Sequence, residues 1–484
     1  MTCSPFSILV LIMLFRYASS FKFMPNLYKH RSGFACRSIS QGNSGAADAA
    51  KLPVVINTEN VPVYLFCSQE VEEAALEQLK NLARSVIPVG YVSAMPDVHL
   101  GAGATIGSVF ASEKYVSPNS VGTDIGCGMI AIPFPTLCKD DLTDAVKQEL
   151  HSEIKRVVPT GFNHFSSVQN GVEEAVNNIN AEIKPTKWLK ENILSGELRN
   201  KALCQIGTLG GGNHFIEVLH DENDGVWLML HSGSRFVGKF TADHYNKLAK
   251  AQMDSQGVKD YPKDLFYLNI NSAEGKEYLN DMLWCQKYAY TNREFMLNNL
   301  IEVMTNLTGA KPDESKRINA HHNFCELTRC TYTDPQTQQV VEKNLWVTRK
   351  GATAARLGQY GIIPGSMGVG SYIIRGRGNS QSWESCSHGA GRLLSRTAAK
   401  KILKQEDFQQ AMAGIVYDNN VPGLIDEAPM AYKNLDQVMS DQASLVEVVH
   451  RLLPLINVKG FEDKDATKKY NKQQKWKRNA GVKE

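Results

Sequence analysis

Short apolar runs alternate with amphipathic stretches along the chain, a pattern typical of proteins that mix strands and helices. Residues 61–66 form an apolar run that favours a buried strand, whereas residues 71–85 are acidic and repeat their apolar positions with helical spacing. Residues 87–135 are rich in glycine and β-branched residues, so we expect strands and tight turns there, with the polar residues on loops at the strand ends. The pattern indicates an α+β fold.

The rest of the chain continues this mixture as far as residue 463. Further strands are predicted at 214–219 and 226–230, and a hairpin is predicted within 331–345 around Asp334-Pro335. Glycine-rich strand and loop segments follow as far as Gly378. Helical spacing predicts helices at 140–156, 172–183, 241–251, 272–305 and 393–404. No internal repeat is visible, so we predict one large α+β domain of mixed sheets and helices over residues 54–463.

Composition narrows the class of protein but not its partner. The chain has 484 residues, of which 43% are hydrophobic and 21% charged, as in an ordinary soluble globular protein. A net charge of +3 is too small to demonstrate nucleic-acid binding, which depends on local basic patches. Ten cysteines without a C-x-x-C pair argue against a disulfide framework, so we expect a reducing compartment.

The first 50 residues have the composition of a targeting segment. Residues 6–15 form an apolar run shorter than the ~20 residues that span a bilayer, as in a signal peptide, and we expect cleavage before Phe21. The following residues are basic, and no acid precedes Asp48. This two-part segment resembles the leader of proteins sent to plastids of secondary origin. The alternatives are a plain secretory signal or a mispredicted start with a cytoplasmic or nuclear protein. We expect no integral membrane association of the mature form.

Residues 464–484 are rich in Lys, Asn and Gln and contain few large apolar residues, which predicts a solvated basic tail. The chain is therefore predicted to have three parts: a targeting segment at 1–50, a catalytic domain at 54–463 and the C-terminal tail at 464–484.

Five residues form a candidate metal-ligand set. Asp124 and Cys127 are three residues apart among glycines, and a thiolate can bridge two ions. His214 follows a triple glycine, His231 ends a predicted strand, and His322 belongs to a histidine pair. Each alone is better explained as a buried cysteine, a turn or a capping histidine. Together, in glycine-rich surroundings that bury little side chain, they predict a metal site.

His388 differs from these histidines in its surroundings. Gly389 and Gly391 leave space beside the ring for a bulky group, and Arg392 offers a fork that can bind phosphate. This setting suits a nucleophile better than a metal ligand.

Several segments resemble the RtcB family of RNA ligases, in family order from about residue 60 to residue 460. The segments are Met-Pro-Asp-Val-His at 95–99, Val-Gly-Thr-Asp-Ile-Gly-Cys-Gly at 121–128, the glycine-rich 210–217, His-Ser-Gly-Ser-Arg at 231–235, Pro-Gly-Ser-Met-Gly at 364–368, Ser-His-Gly-Ala-Gly-Arg at 387–392, and Val-Lys-Gly at 458–460.

The resemblance implies a GTP-dependent ligase that joins RNA 3′-phosphate or 2′,3′-cyclic phosphate ends to 5′-hydroxyl ends and uses two Mn²⁺ ions. It implies one ion on Cys127, His214 and His231, and the other on Asp124, Cys127 and His322. His388 would carry GMP. The RNA would be tRNA exon halves or broken RNA, and an archease-like activator is a further partner that the resemblance allows.

The resemblance also assigns residues around the nucleotide and the RNA. Those implied at the nucleotide are Asn213, Glu217, Ser366, His388, Gly389, Ala390, Gly391, Arg392, Tyr432 and Lys459. Supporting positions near the metals or an RNA phosphate are Asp97, His99 and Arg235. The chain departs from the family at Phe236-Val237, where glycine is usual, and this departure concerns the shape of the local loop.

Two other functions are compatible with parts of this pattern. A dinuclear metal-dependent phosphatase or nuclease would use the same ligands but leaves the glycine-rich surroundings of His388 unexplained. An RNA-binding or chaperone subunit with a relict site is disfavoured because every candidate ligand is present. Covalent retention of label from α-labelled GTP distinguishes the ligase from both.

Overall fold

Two β-sheets organise the part of the chain that the computed structural model describes, which is residues 52–258, 261–418 and 421–460. The predicted targeting segment and the C-terminal tail lie outside these ranges. The strands are β1 Val54–Ile56, β2 Val63–Leu65, β3 Val89–His99, β4 Ile106–Ser112, β5 Tyr115–Val116, β6 Gly128–Cys138, β7 Phe215–His220, β8 Gly225–Ser232, β9 Leu268–Asn269, β10 Ile318–His321, β11 Asn323–Thr333, β12 Val340–Lys350, β13 Ala352–Ala354, β14 Tyr360–Pro364, β15 Ser371–Gly376, β16 Ser385–Ser387 and β17 Val446–Lys459.

Helices cover the sheets and connect their strands. They are α1 Glu73–Arg84, α2 Pro118–Val121, α3 Asp144–Val157, α4 Val172–Glu182, α5 Lys187–Asn192, α6 Gly196–Gln205, α7 Arg235–Ser255, α8 Ala273–Thr308, α9 Arg396–Ile402, α10 Gln405–Ala411, α11 Val421–Leu424 and α12 Leu435–Asp441. None of the described helices is both long enough and apolar enough to cross a membrane.

The sheets have six and seven strands. The first has the order β1-β2-β3-β4-β12-β11, and the second has the order β10-β6-β8-β7-β17-β15-β14. Pairing is antiparallel except between β2 and β3. The predicted mixture of sheets and helices is therefore confirmed, as is the hairpin, which is formed by β11 and β12.

One hydrophobic core lies between the seven-stranded sheet and the helices α3 and α8. Ile130 and Ile132 of β6 face this core, whereas Met129 and Ala131 belong to a second cluster on the opposite face. This alternation is the period-two pattern of a strand that is buried on both sides. From α8, Met296, Leu300 and Met304 pack in the core beside α3 at helical spacing.

The structure corrects the predicted positions of three features. Asp97 and His99 lie within β3 rather than on a loop, because the strand continues to His99. Helix α9 begins at Arg396 rather than at residue 393, because the hydroxyl of Ser395 caps it by accepting from the N–H of Ala398 at 3.2 Å. Helix α7 begins earlier than predicted, at Arg235, directly after the candidate ligand segment.

The register of the second sheet brings the candidate residues to one edge. Residue 231 of β8 pairs with Phe215 of β7, and Lys459 of β17 pairs with the same Phe215. On the other side of β8, Ser232 pairs with Gly128, which also pairs with His321 of β10. The candidate residues that flank these pairs therefore lie close together at this edge of the second sheet.

Candidate active site

Candidate metal ligands from four separate segments converge on the thiol of Cys127. Its Sγ lies 3.2 Å from Nε2 of His231 and 3.4 Å from Nε2 of His214. Nε2 of His231 is also 3.2 Å from Nε2 of His322, and Oδ2 of Asp124 is 3.1 Å from Nε2 of His214. All five sequence-predicted ligands are thus brought together.

The ligand atoms form two groups that share Cys127. Within each group the atoms lie within 4.8 Å of one another: Cys127 with His231 and His322, and Asp124 with Cys127 and His214. These groups divide the histidines differently from the two sets that the family resemblance implies. The assignment of each histidine to one ion therefore stays a prediction, whereas the central position of Cys127 is common to both descriptions.

The hydrogen bonds of two histidines leave their Nε2 atoms free to bind a cation. Nδ1 of His214 lies 2.8 Å from the carbonyl oxygen of Leu209, and Nδ1 of His231 lies 3.1 Å from that of Asn213. A carbonyl oxygen can only accept, so each Nδ1 carries the hydrogen and each Nε2 presents a lone pair towards Cys127. Metal-binding histidines are typically oriented in this way.

Burial keeps two imidazoles of this cluster neutral, those of His231 and His322. It lowers the pKa of His231 and of His322 well below the ordinary value. Burial, together with the nearby Asp124, raises the pKa of the Cys127 thiol. Burial alone would raise the pKa of Asp124, but the neighbouring His214, together with the Cys127 thiol and the N–H of Ser234, holds it below its usual range. A bound cation would reverse the shift of the thiol, and the mixed S, N and O donors fit a divalent transition metal.

A glycine makes the position of Asp124 possible. Oδ1 of Asp124 accepts from the backbone N–H of Ser234 at 2.9 Å and from the Ser234 hydroxyl at 3.0 Å. A Cβ at Gly233 would lie only 2.2 Å from both carboxylate oxygens. Any larger residue at 233 would therefore displace the carboxylate.

His388 is held by a buried carboxylate. Its Nδ1 lies 2.6 Å from Oδ2 of Asp97, which also accepts the backbone N–H of His388 at 3.2 Å. Asp97 is fully buried, and the His388 ring centroid lies 4.9 Å from that of His322. The carboxylate fixes the hydrogen on Nδ1, so Nε2 carries the free lone pair. Asp97 is thus the direct partner of His388.

His99 contacts the backbone of Asp97 rather than its carboxylate. Its Nδ1 lies 2.8 Å from the carbonyl oxygen of Asp97, and burial lowers its pKa to about 4. The neutral His99 ring lines the cleft beside His388.

Two clefts meet at His388. The first is lined by every residue that the family resemblance implies at the nucleotide: Asn213, Glu217, Ser366, His388, Gly389, Ala390, Gly391, Arg392, Tyr432 and Lys459. The second is lined by Asp124, Cys127 and His322, together with Asn119 and Lys350. Asn213 and His388 belong to both. His388 can therefore reach a group bound in either cleft.

Glu427 connects the polar residues of the first cleft and was missed by sequence reasoning. It is buried, and its carboxylate contacts Arg396 at 2.7 Å, Arg392 at 3.2 Å, the Tyr432 hydroxyl at 2.8 Å and the Lys459 ammonium. Burial alone would raise its pKa, but Lys459 and the two arginines lower it to about 2. These cations come from separate segments of the chain, so the local sequence around residue 427 did not indicate the pairing.

Asn457 is a second residue that sequence reasoning missed in this cleft. Its side-chain amide donates to Oε1 of Glu217 at 2.7 Å. Burial raises the pKa of Glu217 to about 8. Asn457 precedes the recognised segment 458–460 by one residue, but nothing in its local sequence indicated a pairing with residue 217.

Two side chains of helix α8 form hydrogen bonds to the backbone of the glycine-rich loops. Asn292 accepts from the N–H groups of Gly207 and Thr208 at 2.8 and 3.1 Å and donates to the carbonyl of Gly233 at 3.0 Å. The buried Arg293 donates to the carbonyls of Gly126 and Ser232 at 2.8 and 3.1 Å. These two side chains fix the backbone on both sides of the metal-ligand cluster.

Arg235 lies under the glycine loop rather than among the ligands. Its backbone φ is +56°, and its guanidinium donates to the Thr208 hydroxyl at 3.2 Å and the Gly161 carbonyl at 3.0 Å. The N–H of Phe236 donates to the Gln205 side chain at 3.2 Å. Phe236, where the chain departs from the family pattern, therefore lies in the first turn of α7.

Comparison with known proteins identifies the family. The family model described as tRNA-splicing ligase RtcB matches residues 78–460. The chain is 39% identical to the RNA-splicing ligase RtcB of Escherichia coli strain K12, over 84% of this chain and 99% of that protein. It is 30% identical to the tRNA-splicing ligase RtcB of Methanococcus maripaludis, over 81% of this chain and 92% of that protein. The chain belongs to the RtcB family.

Proposed function

We propose that this RtcB family protein is an RNA ligase that uses GTP to join RNA 3′-phosphate or 2′,3′-cyclic phosphate ends to 5′-hydroxyl ends, in tRNA splicing or RNA repair. The observation that carries the proposal is the position of His388, whose free Nε2 lies where a nucleotide cleft meets a cleft lined by metal ligands. A phosphatase or nuclease would need the metal ligands but not this histidine.

His388 would act first, as a nucleophile towards GTP. Its Nε2 would attack the α-phosphorus, so an N–P bond forms and the bond to the leaving pyrophosphate breaks. The ring becomes positively charged, and the Asp97 carboxylate on Nδ1 stabilises that charge. Arg392 and Arg396, which line the same cleft, are placed to bind phosphate oxygens.

The RNA ends would then react in the second cleft. An oxygen of the RNA 3′-phosphate would attack the phosphorus of the histidine-bound GMP, which breaks the N–P bond and frees His388. The 5′-hydroxyl would next attack the RNA phosphorus, GMP would leave, and the hydroxyl proton would pass to solvent. Cyclic phosphate ends would first be opened by water.

The two Mn²⁺ ions that the family uses would be held by Asp124, Cys127, His214, His231 and His322. When bound, such ions neutralise phosphate charge and orient the reacting oxygens. The protein's own contribution is to keep the imidazoles of His231 and His322 neutral and to direct Nε2 of His214 and His231 inwards.

A labelling experiment tests the proposal. The full chain with Mn²⁺ and α-labelled GTP should retain covalent label that is labile to acid and stable to alkali, as a phosphoramidate is. His388→Ala should lose the label, retain its bound metal and still join an RNA end activated beforehand with GMP. The exposed His164→Ala is the matched control. Release of phosphate without any label would instead favour a metal-dependent phosphatase.

A further inference from the structure

Four aromatic side chains form a patch at the surface of the helices that follow the metal-ligand loops. Three come from helix α7, where Phe236, Phe240 and His244 are spaced four residues apart and therefore lie on one side of the helix. The fourth is Trp188 of α5, whose ring stacks on that of His244 with the centroids 3.9 Å apart and lies 6.1 Å from the ring of Phe240. These four residues are called the aromatic face.

The fold covers the aromatic face only in part. Phe240 is 44% exposed, and the other three side chains are half-buried. The indole N–H of Trp188 faces solvent and donates to no group within residues 52–258, 261–418 and 421–460. A single exposed apolar residue needs no explanation, but a cluster of rings with an open hydrogen-bond donor indicates a ligand that has flat rings and polar edges.

Lysines border the aromatic face. The ammonium of Lys201 lies 4.7 Å from the centroid of the Phe236 ring, and Lys247 lies three residues beyond the face on the same side of α7. Neither lysine forms an ion pair with an acid in the part of the chain that the structure describes. Asp243, which also lies on this side of the helix, is paired with Lys239 at 2.7 Å. The border of the face therefore has an excess of positive charge, which is complementary to phosphate.

The aromatic face is continuous with the candidate active site. Helix α7 starts directly after the ligand segment 231–234, in which the N–H and the hydroxyl of Ser234 hold the carboxylate of Asp124. Phe236 is the second residue of the helix, and from Phe236 to His244 the helix rises roughly 12 Å. The face therefore extends along α7 from the metal-ligand cluster, and Asp124 of that cluster lines the second cleft.

The start of the aromatic face is a feature of this chain. Residues 236–237 are Phe-Val where glycine is usual in the family. A glycine at 236 would remove the ring over which Lys201 lies and would shorten the face at the end nearest the metal-ligand cluster. The face is thus not explained by the requirements of the metal ligands.

We propose that the aromatic face, together with Lys201 and Lys247, binds the single-stranded RNA that leads to the ends being joined. Aromatic rings and cations are the groups by which proteins hold single-stranded nucleic acid without reading its sequence, because every base can stack on a ring. Bases would stack on the rings of Phe240 and Trp188, the two lysines would contact phosphates, and the end of the strand would be held at the second cleft. The inference rests on the proposed function, because it takes RNA as the substrate.

Two substitutions in the full chain, each with a matched control, test this inference. Phe240→Leu keeps an apolar side chain but removes the ring, and Lys201→Gln removes one cation. The controls are Tyr360→Leu, an exposed aromatic residue of β14, and Lys311→Gln, an exposed lysine beyond the C-terminal end of α8. Short single-stranded RNAs with a 3′-phosphate carry 2-aminopurine at successive positions from that end, so that fluorescence quenching reports stacking. Their affinity is measured against KCl concentration without GTP.

The unaltered chain should quench 2-aminopurine at internal positions of the RNA rather than at its terminal nucleotide. Phe240→Leu should abolish this quenching and weaken binding by about fivefold to 100-fold, the range for the loss of one stacking ring. Lys201→Gln should make the slope of log affinity against log salt shallower by ~0.7, as for one lost phosphate contact on a single strand. Both controls should match the unaltered chain, and labelling by α-labelled GTP should be the same in all five proteins.

Quenching and affinity that do not change in Phe240→Leu would overturn the inference. An effect of this substitution that is seen only with double-stranded RNA would also overturn it, as would a loss of self-association with unchanged affinity for RNA, which would make the face an interface between copies of this chain. Failure of the unaltered chain to take up label from GTP, while it still binds the RNA through the aromatic face, would count against the proposed function instead.

Discussion

At the residue scale, the chemistry of the site depends on which nitrogen of His388 carries the hydrogen. The buried Asp97 carboxylate accepts from Nδ1, and this leaves Nε2 as the nucleophile. Asp97→Asn would place an amide there that can donate to Nδ1 and move the hydrogen to Nε2. We expect adduct formation with GTP to fall by about 10²-fold to 10⁴-fold, as for other carboxylates that orient a catalytic histidine.

The rate of single-turnover labelling measures this effect. Metal content should not change, because Asp97 does not contact the metal-ligand cluster through its side chain. The exposed Asp407→Asn serves as the control. A variant that labels at the normal rate would show that Asp97 has a purely structural role.

Cys127 is the residue on which the metal prediction depends most. Its thiol belongs to both groups of candidate ligands. Cys127→Ala should therefore weaken Mn²⁺ binding by more than the roughly tenfold to 100-fold seen when a supporting residue is lost. Titration calorimetry and metal analysis provide the measurement, and the buried Cys330→Ala, in β11, is the control. An unchanged number of Mn²⁺ ions bound per chain would exclude a position of Cys127 shared by both groups of ligands.

Glu427 should make stability depend on pH in a defined range. Lys459, Arg396 and Arg392 lower its pKa from 4.5 to about 2, although burial opposes them. Because the folded pKa is the lower one, this carboxylate stabilises the fold above pH 4.5, and the contribution is lost as the pH falls towards 2. Glu427→Gln should lower the free energy of unfolding at pH 7 by about 3 kcal/mol.

Urea unfolding at pH 7, 4 and 3 provides the test. The difference between the variant and the unaltered protein should shrink as the pH falls, whereas the exposed Glu406→Gln should show little difference at any pH. A difference that stays constant over this range would contradict the assigned pKa.

At the scale of secondary structure elements, α8 holds the metal-ligand loops in place. Asn292 accepts from the N–H groups of Gly207 and Thr208, the second of which also donates to the carbonyl of Gln205, and it donates to the carbonyl of Gly233. Asn292→Ala should remove this side-chain partner, at a cost of about 1–3 kcal/mol for each buried group that is left unpaired. Urea unfolding and Mn²⁺ affinity should both decrease. Asn306→Ala, on the exposed side of the same helix, should change neither.

The elements also show what the sequence could and could not predict. The candidate ligands could be found because Asp124, Cys127 and His214 carry reactive groups within glycine-rich segments, where packing does not explain them. Glu427 and Asn457 could not, because their partners are set by tertiary contacts such as that between residues 457 and 217. Helix α6 was missed because its apolar residues do not form one clear stripe.

At the scale of the whole molecule, charge is unevenly distributed along the chain. The body at 51–460 has more acids than bases, whereas both ends are basic. At the N-terminal end the basic residues follow an apolar run of ten residues, and this combination is typical of a segment that is recognised for transport and then removed.

We propose that residues 1–50 direct the protein to a plastid-like organelle. Because these residues lie outside the family match, which begins at residue 78, their removal should leave the ligase site intact. A fluorescent protein fused to residues 1–50 should enter the organelle, and deletion of residues 6–15 should keep the fusion in the cytoplasm, since the apolar run is the part that a signal receptor binds. Replacing Lys22, Lys29, Arg31 and Arg37 with glutamine should stop the fusion at the secretory stage. A mature protein that retains residues 1–20, or a fusion that is secreted without entering the organelle, would contradict the two-part reading.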